Sequence, residues 1–217
     1  MKIYIKRNMI GRIEKVHLRE IWKHEAHDFT KWLEENIDVL NSVLDFQISN
    51  PSREQSTGVF NVDIVAEDEN GDMVVIENQL EKSNHDHLGK LLTYLAAVEA
   101  SKAIWIVSEP RAEHVKAISW LNESTTSDFY LFKIEGIKIG NSEPAPLLTK
   151  IVGPSLEAKS AGATKKEYAE RFNLRKEFWE YLLEKVKLKT NLHANLSPGI
   201  YSWIGTGAGI SGISYNY

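Results

Sequence analysis

Three side chains of types that do hydrolytic or metal chemistry fall close together: Asp63, Glu77 and Gln79, the last two inside the run Val74-Val75-Ile76-Glu77-Asn78-Gln79-Leu80. That run is otherwise what a buried strand requires. Side chains on a strand alternate faces with period two, so Glu77 and Gln79 point the same way. Whether Asp63 joins them depends on the turn between the two apolar runs. A two-residue Asn70-Gly71 turn would set Asp63 opposite Asn78 and aim it away from Glu77. A three-residue Glu69-Asn70-Gly71 loop, with Gly71 left-handed, would set Asp63 opposite Glu77 on one face. Both loops are common, and Glu-Asn-Gly suits the second. In that register two carboxylates and an amide meet. Paired carboxylates repel unless one is protonated or a cation bridges them. Mg²⁺ or Mn²⁺ is the natural bridge, and such an ion can orient a phosphodiester and activate a water.

The elements that must hold these residues are legible as periodicities. Phe29, Trp32, Leu33, Ile37, Leu40 and Leu44 recur at helical spacing and predict one helix over 25–44. Asn50-Pro51-Ser52 reads as a chain break. Segments 58–68 and 72–80 read as the arms of a hairpin. Ser83-Asn84-His85-Asp86 has the form of a capping box with Ser83 at its head, opening a helix through Val98. A short apolar run over 103–108 predicts a central strand, 111–122 a helix and 129–134 a further strand. The sum is an α/β fold, a mixed sheet flanked by helices. Trp105 and Trp120 fit core positions, and His114 fits the surface. His85 and His87 lie two apart, so on a helix they point in different directions.

A Pro- and Ala-rich stretch closes this unit, giving a domain over 1–155 and a linker over 156–164. The charged, aromatic-rich helix after it and the glycine-rich end, 165–217, read as the start of a second α+β domain that stops short. Its glycines have no following Lys-Ser/Thr, so they suit a hairpin rather than a phosphate loop. Net charge is −4, with basic-leaning segments early in the chain and over 165–189 that read as solvated faces. The absence of cysteine excludes disulfides, thiolate metal sites and a Cys nucleophile. No stretch has the roughly 18–20 apolar residues of a membrane span. The charged N-terminus reads as mature protein, and a cytoplasmic location is expected.

Asp63 followed by Glu77-x-Gln79 after a hairpin resembles the active-site signature of the PD-(D/E)XK, or restriction-endonuclease-like, nuclease superfamily; Val62 stands where its name has proline. The longer string, most specifically VVIENQLEKSNHDHLGKLLTY, resembles a bacterial and archaeal family in which a nuclease-like half precedes a second domain of unknown function. The resemblance covers about residues 10–155. It implies a restriction-endonuclease-like fold and Mg²⁺-dependent hydrolysis of phosphodiester bonds, in DNA before RNA. It makes Asp63 and Glu77 metal ligands, with the Asn78 carbonyl as a third, and leaves a homodimer open. Gln79 stands where the superfamily most often has lysine. A neutral amide can orient water but cannot stabilise developing charge as lysine does. Lys82 and Lys90 are the lysines placed to substitute. A glutamate from the first helix often assists; Glu25 fits, being in line with Phe29 and Trp32, with Glu54 as the second choice and Glu34 expected to face solvent. The opposing expectation is a catalytically silent module of the same fold that binds nucleic acid or a protein.

Overall fold

The computed structural model describes residues 10–57 and 60–216, without the side chains of 54–57, 60 and 61 or of five scattered residues between 156 and 165. The chain runs β1 (Ile13–Val16), α1 (Leu18–Ile21), a π-helical turn (Glu25–Thr30), α2 (Lys31–Glu35), α3 (Ile37–Asn41), β2 (Ile48–Thr57), β3 (Phe60–Asp68) and β4 (Met73–Lys82). It continues through α4 (His85–Ala97), β5 (Lys102–Glu109), α5 (Ala112–Ser124), β6 (Asp128–Ile139), β7 (Ala145–Val152), α6 (Leu156–Lys187), β8 (Gly205–Gly207) and β9 (Ser214–Asn216). It divides into two compact units, one ending at Lys159 and one from Ser160 onward.

The first unit is a seven-stranded mixed sheet in the order β1-β6-β5-β4-β3-β2, with β7 also on β6. Strands β4, β5 and β6 are parallel, joined by the helical crossovers α4 and α5; the other pairings are antiparallel. One face packs Leu91, Tyr94 and Ile118 of α4 and α5 on Val75, Trp105 and Leu131. The other packs Leu18, Trp22, Phe29, Leu33 and Leu40 on Ile64, Ile76, Ile104 and Phe132. Covered on both faces, β4 and β5 read as unbroken apolar runs rather than alternating ones. Asn122 ties the end of α5 to β6 by bonding Phe129 N–H and C=O at 2.9 and 2.8 Å. Helices on both sides of a mixed sheet are the architecture expected of a restriction-endonuclease-like fold.

The hairpin register follows from its loop. Asp68 N–H donates to Asp72 O, Gly71 N–H donates to Asp68 O, and Gly71 has φ +83°, so the loop is the three-residue Glu69-Asn70-Gly71. The β3–β4 ladder accordingly pairs Glu67 with Met73 through Ile64 with Ile76. The Asp68 carboxylate pins this loop: it accepts from Asn70 N–H at 2.8 Å and Asp72 N–H at 2.9 Å and pairs with Lys102 Nζ at 2.5 Å. Burial alone would raise its pKa, but the Lys102 and backbone bonds outweigh burial and hold it below the usual carboxylate range.

Several local expectations are corrected. The helix expected over 25–44 is three pieces: a π turn, then α2, then α3 after Asn36 leaves helical geometry at φ −130°, ψ 44°. Asn50-Pro51-Ser52 does not end the strand; β2 runs through it, because a bulge between Ser49 and Ser52 and a left-handed Asn50 (φ 51°) absorb the extra residue. Pro51 is tolerated there because β2 is an edge strand. Trp120 is not core: it lies on the outer side of α5 and is 62% exposed, whereas Trp105 is fully buried. Residues 156–164 are helical, forming the first turns of α6, and the division between the units falls within them. The second unit has a small core of Trp179, Leu183 and Ile204, with Trp179 Nε1–H bonded to Tyr201 O at 2.9 Å. Its glycine-rich end pairs β8 with β9 as a hairpin.

Asp68→Ala should strand Lys102 and release the loop, costing about 3 kcal/mol in urea unfolding. Gly71→Ala meets no neighbouring atom, so its cost of about 1 kcal/mol comes from the left-handed backbone alone.

Candidate functional site

The site lies where β3 stops pairing with β4. Even-numbered residues of β4 turn their N–H groups toward β3, as Asp68 and Asp72 show at the loop end. Past the Ile64–Ile76 pair the ladder ends, and carboxylates take the next two donors. Asn78 N–H donates to Asp63 Oδ2 at 2.8 Å, and Leu80 N–H donates to Glu25 Oε2 at 2.5 Å. The same alternation aims the Asn78 carbonyl into this notch. Continuing the register by one residue sets Asp63 opposite Glu77.

Glu77 is buried to 2% exposure, and among the described residues its Oε2 has no hydrogen-bond partner. Burial pushes its pKa up to about 9, Asp63 and Glu25 push the same way, and Lys90 opposes them. Glu25 is also raised, chiefly by burial, against the Leu80 N–H and Arg19. Tyr94 of α4 is raised by burial and then by Glu77 and Asp63, so both carboxylates are within electrostatic reach of α4. Gln79 is 1% exposed; its Nε2 donates to Lys82 O at 2.8 Å, and its Oε1 has no partner among the described residues. Two orphan acceptors therefore face the same side of β4. Asn78 turns to the opposite face, where its Nδ2 donates to Thr30 Oγ1 at 3.1 Å and ties the strand to the π turn.

That turn carries Glu25. Its wide geometry shows in Phe29 N–H reaching back to His24 O at 3.2 Å, and Asp28 Oδ2 accepts from His24 N–H at its start. π turns concentrate at functional sites because they redirect a side chain without ending the helix. Glu34 does not simply face solvent: it accepts from Arg53 N–H and pairs with Arg53 Nε at 2.5 Å. The Glu54 side chain lies outside the described residues. Lys82 pairs with Glu109 at 3.0 Å, turned from the carboxylates, whereas Lys90 is within electrostatic reach of Glu25 and Glu77.

One neighbour escaped the sequence reading. The N-cap of α4 is Asn84, not Ser83: its Oδ1 accepts from His87 N–H at 2.9 Å and meets His87 Nδ1 at 3.0 Å. This sets His87 Nε2 at 3.9 Å from Glu77 Oε1. Burial and then Lys90 lower the His87 pKa, keeping the imidazole neutral. Only the Asn84-x-x-His87 spacing at the head of α4 could have signalled it. His85 points elsewhere, as expected. His114, expected at the surface, is buried at 1% exposure against Trp105. Its Nδ1 meets Ser83 Oγ at 2.7 Å and its Nε2 meets His85 Nδ1 at 3.0 Å, while Ser83 Oγ accepts from Arg111 N–H at 2.8 Å. This network joins the start of α4 to the start of α5.

Among the described residues no group of three or more His, Asp or Glu side chains is gathered closely enough to cage a metal ion. Mg²⁺ needs no such cage: one or two carboxylates, waters and substrate oxygens suffice. The Asp63–Glu77 pair and the orphan Glu77 Oε2 fit that demand.

No protein-family model matches the chain, and no curated sequence matches it. Among solved structures, the chain is similar to a repair endonuclease from Pyrococcus abyssi, at 18% identity and a TM-score of 0.37, over 42% of this chain and 41% of that one. It is also similar to the protein of an EndoMS–dsDNA complex, at 18% identity and a TM-score of 0.33, over 39% of this chain and 36% of that one. The chain thus spans about two fifths of the length of either neighbour. Likenesses this slight carry no argument about activity, which rests on the residues themselves. No helix among the described residues is long and apolar enough to cross a membrane.

The raised Glu77 gives a signed prediction. A carboxyl that binds its proton more tightly folded than unfolded supports the fold below pH 4.5, and that support is lost as pH rises toward about 9. Glu77→Gln should therefore unfold at a higher temperature than the wild-type chain, by a margin that widens across this window. Ser83→Ala should cost about 1–3 kcal/mol near neutral pH, because it leaves the buried His114 Nδ1 without its partner and removes the acceptor of the Arg111 N–H.

Proposed function

We propose that the chain is a divalent-metal-dependent hydrolase of phosphodiester bonds, acting on DNA. The observation that carries this reading is the notch in β4, where Asp63, Glu77 and the Asn78 carbonyl lie together and, among the described residues, Glu77 Oε2 and the neighbouring Gln79 Oε1 have no hydrogen-bond partner. A buried carboxylate, Glu77, beside the half-buried Asp63 is costly without a proton or a cation between them. Asp63, Glu77 and the Asn78 carbonyl would hold Mg²⁺ or Mn²⁺. When bound, the ion supplies Lewis-acid activation of a water and of the phosphate. Gln79, fixed by its bond to Lys82 O, offers Oε1 to orient that water. Glu25, with one oxygen held by Leu80 N–H, orders the far side of the notch. Lys90 brings the positive charge that Gln79 lacks; Lys82, held by Glu109, does not.

The neutral Gln79 also supports a second reading, a silent module of the same fold that binds nucleic acid or a protein without cutting. Incubation with single-stranded, duplex and branched DNA in Mg²⁺ and in Mn²⁺ separates the two. The expected result is cleavage that falls to background in Asp63→Ala and Glu77→Ala and by about 100-fold in Gln79→Ala. Equal activity in all four chains would remove the mechanism. Absence of Mn²⁺ binding by calorimetry would favour the silent module.

A further inference from the structure

A cleft of about 470 Å³ opens at the carboxyl ends of the parallel strands β4, β5 and β6, closed on its far side by β1 and α1. Such ends are where open α/β sheets receive ligands. Its floor is aliphatic, from Leu18, Leu80 and Ile134, all nearly or fully buried. Its rim carries four cations: Lys15, Arg19, Lys82 and Lys133. Each is held by a carboxylate: Lys15 and Lys133 share Glu135 at 2.6 and 3.0 Å, Arg19 pairs with Glu81 at 2.8 Å, and Lys82 with Glu109 at 3.0 Å. Among the described residues, four cations against three acids leave the Lys15–Glu135–Lys133 corner with an excess positive charge. Both lysines already hold the Glu135 pKa down. Exposed pairs of this sort are worth at most about 1 kcal/mol, so a phosphate can join or displace them with little resistance.

The cleft shares a wall with the notch. Leu80 lines the cleft while its N–H bonds Glu25, and Arg19 and Glu81 line the cleft while acting on the Glu25 charge. A narrow cleft under a cationic rim fits a short single strand and not a duplex.

We propose that this cleft binds a single-stranded nucleic-acid segment beside the notch, its phosphates on Lys15, Lys133, Arg19 and Lys82. The proposal rests on the notch being the reactive site of a phosphodiester hydrolase. The rim then reads the backbone and carries no sequence information.

The test is fluorescence anisotropy of a labelled short single-stranded DNA on the full chain in EDTA, titrated with salt, so that neither metal nor cleavage enters. A strand on four cations gives a slope of log affinity against log salt of about −3, at about −0.7 per contact. The Lys15→Gln/Lys133→Gln double variant should flatten the slope by about 1.4. Glu135→Gln, which frees both lysines, should tighten binding. A duplex of the same sequence should bind with a slope that the double variant leaves unchanged. No binding, or equal slopes for the wild-type chain and the double variant, would overturn the cleft. Thermal melts of both variants, at the exposed Lys15 and the half-buried Lys133 and Glu135, should match the wild-type chain; a slope change with a collapsed melt counts as unfolding and against the proposal. If the chain cuts nothing with any metal yet the slope depends on Lys15 and Lys133, the hydrolase reading fails and the cleft stands. If it cuts and the slope does not move, the cleft alone fails.

Discussion

The buried carboxylate of Asp68 governs more of this structure than its size suggests. It bonds two loop N–H groups and Lys102, whose ammonium also stands 5.3 Å over the Phe46 ring. With the loop fixed at three residues, the β3–β4 register is fixed too, since a slip of one would turn every β3 side chain to the other face. Asp63 stands opposite Glu77 because of an interaction about five residues away along the strand. The site is in this sense a consequence of a turn.

The notch itself follows from where the ladder stops. A strand leaving its neighbour exposes backbone donors that must be satisfied. Here Asp63 and Glu25 satisfy those of Asn78 and Leu80, so two acids are drawn to one place by hydrogen bonds that have nothing to do with catalysis. Among the described residues Glu77 Oε2 has no hydrogen-bond partner, and burial raises its affinity for a proton. Such a concentrated, unpaired group among satisfied ones is how a site differs from a core. The cations around it are distributed unevenly: Lys90 reaches the carboxylates, and the rim lysines belong to the neighbouring cleft.

Much of this was legible in the chain. Continuous apolar runs in β4 and β5 and the spacing of Leu88, Leu91 and Leu95 identify a sheet covered by helices. Asp63, Glu77 and Gln79 stand out because polar residues are rare in such runs. The failures share a cause. The period of 25–44 is helical throughout, yet Asn36 and the π turn break it, because tertiary demands on Glu25 and Thr30 override local pattern. Asn50-Pro51 looks like a stop but sits on a polar edge, where a bulge absorbs it. His114 and Trp120 share a helix, and the polar one is buried while the aromatic one is exposed. A partner outweighs polarity: Ser83 and His85, some thirty residues earlier, satisfy the imidazole.

The sequence by itself determined the residue types, the strand and helix segments, and that one of two loops would join β3 to β4. Those are local properties, written in period and composition. Only the tertiary structure decided between the loops, because the choice rests on Lys102 reaching Asp68 from a strand that pairs later in the chain. Only it brought Glu25 to Leu80 and His87 to Glu77, since both contacts span elements whose packing angle no local pattern encodes. And only it buried a glutamate and the neutral glutamine beside it so that, among the described residues, Glu77 Oε2 and Gln79 Oε1 accept no hydrogen bond, which is a matter of what surrounds a residue and not of what it is.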